Sequence, residues 1–142
     1  MKLAELLGLF NEGNATAKSH MKNLLEVAMA DGQFDSVEYN LLKKLARKYH
    51  ITEKELENIR ENPIDIEFEV PEDDSEKFEQ FYELIHMMII DKQIHPDEEN
   101  LCVIFARKFR YPNVREVIKA TTEYINKGLS PEKAKNRLDW LL

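Results

Sequence analysis

A chain of 142 residues that is 43% hydrophobic and 33% charged has the size and composition of one globular domain, which excludes an intrinsically disordered protein. No apolar run approaches the roughly 20 residues of a membrane-spanning helix; the longest, Leu84–Ile90, contains His86 and stops at Asp91. The net charge of −7 is spread as −1 over residues 1–62, −11 over 63–99 and +5 over 100–142, a balance that argues against a nucleic-acid partner.

Four glycines and five prolines leave little material for a turn-rich β architecture, and the single cysteine excludes an intramolecular disulfide. The first ten residues lack the apolar core and small-residue cleavage site of a secretory leader. A cytoplasmic protein with no direct membrane insertion is expected.

In chain order, residues 2–10 read as a short apolar helix and Asn11–Asn14 as a turn. A helix is expected from about Ala15 to Ala30, with Met21, Leu24, Leu25, Ala28 and Met29 at helical spacing. Asp31-Gly32 breaks it. Asp35 is placed as the N-cap of the next helix with Glu38 in capping-box position, and Val37, Leu41, Leu42, Leu45 and Tyr49 form its apolar stripe. Thr52 with Glu55 makes a second capping box, and Pro63 ends that helix.

Residues 64–70 (I-D-I-E-F-E-V) alternate apolar and acidic. With no strand partner in an otherwise helical chain, they are expected as an extended strap laying Ile64, Ile66, Phe68 and Val70 over the bundle. The helix over about Ser75–Ile90 is apolar nearly all round at its end, which marks a central helix. Pro96 suits the first position of the next helix, which buries Leu101, Cys102, Phe105 and Phe109. A helix from about Asn113 ends before Gly128. Ser130-Pro131 starts the last one, over 130–142, docked through Leu138, Trp140, Leu141 and Leu142.

Asp31–Ile51 and Asp91–Tyr111 match at a fixed offset of sixty. Identical are Asp31/Asp91, Gln33/Gln93, Glu38/Glu98, Asn40/Asn100, Leu41/Leu101, Ala46/Ala106, Arg47/Arg107 and Lys48/Lys108, where chance gives roughly one identity. This points to an internal duplication, with units of about 15–61 and 75–127 joined by an extended acidic linker, 62–74. The expected architecture is one all-α bundle of about seven to eight helices, 1–142, with an internal pseudo-two-fold repeat.

The segment M-A-D-G-x-x-D-x-x-E (Met29–Glu38), followed by Leu41, Leu42, Leu45, Ala46 and I-T-E-K-E-L from Ile51, resembles the tellurite-resistance TerB family. The second copy, with its acidic start at Asp91 and Glu98, resembles the duplicated arrangement of that all-helical fold, and the resemblance covers about residues 20–125. It implies a non-enzymatic scaffold in tellurite or chemical stress response, with other proteins as partners, including membrane-associated components of stress systems. It also implies a divalent cation (Ca²⁺, Mg²⁺, Mn²⁺ or Zn²⁺) held by acidic loop residues. Carried onto this sequence, those are Asp31, Asp35 and Glu38, with Asp91 and Glu98. The second copy departs from the first at Lys92 in place of Gly32 and His95 in place of Asp35.

The residues admit a simpler account. Asp35 and Glu38 serve as a capping box, worth about 1 kcal/mol for the cap, and the ligand rhythm of an EF-hand is absent. On that account the chain is a pure protein–protein interaction module without metal, whose acidic 63–76 segment recruits the partner. Catalysis has no support. Cys102 sits between Leu101 and Val103 as a core thiol, and His20, His50, His86 and His95 show neither ligand nor triad spacing. The basic residues Lys43, Lys44, Arg47 and Lys48, like Arg107, Lys108 and Arg110, read as solvated helix ends.

Overall fold

Where the sequence repeats apolar residues three and four apart over several turns, the chain is helical. The computed structural model describes residues 3–30, 36–90 and 96–142, with side chains from Ala15 onward. Seven α-helices lie among the described residues: α1 (Leu3–Met29), α2 (Ser36–Lys48), α3 (Glu53–Glu61), α4 (Asp74–Ile89), α5 (Pro96–Lys108), α6 (Val114–Asn126) and α7 (Pro131–Leu138). A single 3-10 turn, Pro63–Asp65, follows α3, and the described residues contain no strand. No helix among them is long and apolar enough to cross a membrane.

The turn expected at Asn11–Asn14 is not formed, because α1 runs through it. The helix carries Gly8 and Gly13 in its interior, each costing about 1 kcal/mol relative to alanine.

α4 is the centre. It packs on α1, α5, α6 and α7, and it buries Phe78, Phe81, Leu84, Ile85, Met87, Met88 and Ile89. A helix with apolar residues on nearly every side has no face to give to water, so the others assemble round it. α1 lies against it with Met21, Leu24, Val27 and Ala28 fully buried. Phe81 meets Phe109 at 6.0 Å and Tyr111 at 5.1 Å between ring centroids, which joins α4 to the end of α5.

Residues 36–51 and 96–111 share their burial class at every position except Tyr49 and Phe109. Both segments end in the same cap. His50 and Arg110 adopt left-handed φ values of 60° and 64°. The Ile51 N–H then donates to the Ala46 carbonyl at 2.8 Å, and the Tyr111 N–H to the Ala106 carbonyl at 3.1 Å. The two preceding helices match as well: His20 and Asn23 on α1, and Gln80 and Glu83 sixty residues on, are polar and buried. Gly128, with φ of +77°, closes α6 by the same kind of cap.

The Thr52–Glu55 capping box forms as read from the sequence, with the Glu55 N–H donating to Thr52 Oγ1 at 3.1 Å and the Thr52 N–H to Glu55 Oε1 at 3.3 Å. Thr52→Ala is expected to lower stability by about 1 kcal/mol, read as a shifted urea midpoint at constant slope. A loss below about 0.3 kcal/mol would show that packing alone holds α3.

Residues 66–70 form a strap without ladder bonds. Ile66, Phe68 and Val70 are half-buried, while Asp65, Glu67 and Glu69 face water. Two contacts tie the strap to α1: Lys22 Nζ donates to the Ile66 carbonyl at 3.2 Å, and the Glu69 N–H donates to Ser19 Oγ at 2.8 Å. Ile64 does not join it. The 3-10 turn started by Pro63 rotates that side chain outward, leaving it 92% exposed. Val37, expected on the apolar stripe of α2, is also exposed, as are Met29 and Trp140. α7 ends at Leu138, and the docking expected of this segment comes from Leu138, Leu141 and Leu142 but not Trp140.

Candidate functional site

The two glutamates of the acidic set that lie in the described helices each stand at the third position of their helix, Glu38 in α2 and Glu98 in α5. A carboxylate is favoured in the first turn of a helix, where free N–H groups and the helix dipole present positive charge. Exposure at this level is nevertheless the norm, and Glu55, which works in a capping box, is only half-buried. Glu38 and Glu98 are 2% and 0% exposed, and both are engaged by other groups. Asp31, Asp35 and Asp91 lie outside the described residues, as does His95. Among the described residues no three His, Cys, Asp or Glu side chains converge as a metal-ligating group.

Cys102 lies one turn beyond Glu98 and is fully buried. Burial, reinforced by the charges of Glu98 and Glu99, pushes its thiol up to about 12. The thiolate needed for nucleophilic or redox chemistry is therefore scarce at neutral pH, in agreement with a core role.

A second polar centre joins α1, α2 and α4 through Glu83, which is 4% exposed. Its Oε1 accepts from His20 Nε2 at 2.9 Å and from the Tyr49 hydroxyl, and its Oε2 accepts from Lys48 Nζ at 2.8 Å. Lys48 also pairs with Glu79 at the surface. The rings of His20 and Tyr49 stand edge to face, 5.2 Å apart. Burial by itself would push the Glu83 carboxyl up. The hydrogen bond and charge of His20, with the bonds from Lys48 and Tyr49, outweigh it and hold the carboxyl below its ordinary value. Burial raises the Tyr49 hydroxyl, and the charge of Glu83 raises it further, so it remains a donor throughout the physiological range.

His20 Nδ1 is buried without a hydrogen-bond partner among the described residues. The arrangement is a charge cross-link that fixes three helices and keeps one carboxylate ionised inside the bundle. Lys48, read from the sequence as a solvated helix end, belongs to this cluster instead.

Compared with family models, with curated proteins and with solved structures, the chain matches none.

Proposed function

We propose that the chain is a non-enzymatic, TerB-like scaffold of tellurite or chemical stress response, built by duplication of a helical hairpin. Its two acidic helix starts, Asp31–Glu38 and Asp91–Glu98, bind a divalent cation. The observation that carries this reading is the matched burial of Glu38 and Glu98 at the same helical position, deeper than the cap glutamate Glu55. Taking a carboxylate out of water is costly unless strong partners replace the solvent, and a cation is one such partner.

The residues fit the ion by donor chemistry. Asp31, Asp35 and Glu38 offer the oxygen ligands that Ca²⁺ or Mg²⁺ prefers. In the second set His95 replaces a carboxylate, which moves the preference toward Zn²⁺ or another transition metal. A bound ion would supply positive charge that fixes the helix starts, with no reaction required of it. The acidic stretch 63–99, net −11, suits a basic surface on a cytoplasmic or membrane-associated partner protein.

The test is a thermal melt of metal-stripped protein with Ca²⁺, Mg²⁺, Mn²⁺ or Zn²⁺, repeated on Asp31→Asn/Glu38→Gln. At 100 times its dissociation constant an ion stabilises by about 2.7 kcal/mol, which raises the midpoint by several degrees. A cation-specific rise that disappears in the double variant is expected; no rise with any ion would overturn the metal site.

One observation favours a second reading, a metal-free protein-interaction module. The Thr52–Glu55 box shows a glutamate at the third helical position already at work as a cap in this chain. On that reading, Asp65→Asn/Glu67→Gln/Glu69→Gln, which leaves the inward side chains of the strap untouched, abolishes partner capture.

A further inference from the structure

α5 and α6 leave a groove of about 370 Å³ between them, floored by Met88, Val103 and Ile118. Met88 and Ile118 are buried and Val103 is half-buried. Arg115 and Lys119 stand on one rim, four residues apart on one face of α6, and Glu99 on α5 stands across from them. Neither cation has an ion pair or hydrogen bond among the described residues.

The packing of such a hairpin does not require this groove. The space between α2 and α3 is only about 50 Å³, and the charged residues lining it are Glu53, Glu57 and Arg60. The sequence supplies the reason. Sixty residues apart, Tyr39 gives way to Glu99. The aromatic ring of Tyr39, which lines the first space, has Glu99 in its place at the second.

We propose that the α5–α6 groove binds a small amphiphilic carboxylate. Its apolar body would lie on Met88, Val103 and Ile118, and its single charged head would meet Arg115 and Lys119. The volume falls within the range of small-ligand sites, about 300–1,000 Å³, which are apolar cavities with a few placed polar groups. An arginine guanidinium presents the forked donors that a carboxylate accepts. Glu99 on the opposite wall disfavours a doubly charged phosphate head.

The experiment titrates the full chain with decanoate below its micelle concentration, followed by calorimetry and by amide shifts at Val103 and Ile118. Decanol, which lacks the charge, and acetate, which lacks the tail, are run in parallel. Saturable 1:1 binding of decanoate is expected, with both controls weaker. Binding should fall about tenfold or more in Arg115→Gln/Lys119→Gln, two exposed substitutions whose effect on the fold is checked by the thermal midpoint. The proposal is overturned by an absence of saturable decanoate binding. It is equally overturned by binding that survives undiminished in the folded double variant, or by acetate or decanol binding as tightly as decanoate.

Discussion

Glu83→Ala is expected to destabilise the protein by about 3–5 kcal/mol, the range for breaking a buried charge cluster by removing one partner. The carboxylate is the shared acceptor for His20, Lys48 and Tyr49, so its removal leaves donors from two helices facing a void. Urea denaturation at pH 7 measures the loss, which amounts to roughly 10 °C in thermal midpoint for a domain of this size. Glu79→Ala provides the contrast. Its pair with Lys48 sits at the surface, where solvent screens it, and the loss should stay below about 1 kcal/mol. Equal losses from the two variants would refute the special role given to Glu83.

The same group gives the chain a definite pH response. The Glu83 carboxyl is held below its ordinary value in the folded state, so more protons bind to it in the unfolded chain at mildly acidic pH. Its stabilising contribution is complete above the ordinary carboxylate value and is lost as pH falls through the lowered, folded one. Wild-type stability should therefore decline on acidification, while Glu83→Gln, starting from a lower plateau, should show a shallower decline. Parallel pH profiles for the two proteins would show that other carboxylates govern acid unfolding.

The second large effect is Phe81→Ala, for which a loss of about 3–5 kcal/mol is expected. Phe81 has no exposure. It stands within 6.3 Å of the Phe78 ring and closer to those of Phe109 and Tyr111, so truncation removes both the burial of a large side chain and its aromatic edge contacts. Surrounding helices held at several points cannot collapse fully into the space. Phe81→Leu keeps most of the volume and should cost less than half as much. A loss under about 1 kcal/mol for the alanine variant would mean that the centre of the bundle repacks freely, against the tight filling the structure shows.

The roles of these two neighbours on α4 were not equally legible. Phe81 lies on an apolar stripe, and the density of apolar residues from Leu84 to Ile90 was enough to identify a central helix. Glu83 carried no comparable signal. Its partners are 63 and 34–35 residues away in the chain, and no local spacing encodes a contact made by folding. The capping-box start of α3 was legible as a motif, because capping chemistry is confined to four consecutive residues. The burial of Glu38 and Glu98 was not, since it depends on how the helices pack round those positions.

The groove between α5 and α6 was equally silent. Its residues could be compared with their counterparts at the offset of sixty, but only the packing of two helices shows whether Val103 and Ile118 cover each other or leave space.

The sequence by itself determined the helices and most of their ends, through apolar spacing, the Thr52–Glu55 box, the Ser130 cap and Gly128. Each of these is a property of residues close together in the chain, so the physics is local. The tertiary structure decided which apolar faces found a neighbour. Val37, Ile64 and Trp140 satisfy the pattern of buried residues yet lie in water, because a stripe states which face is apolar and only the surrounding elements determine whether anything covers it. It also decided that Lys48 and Tyr49 turn inward to Glu83, since a desolvated carboxylate selects its partners from whatever the fold brings within reach.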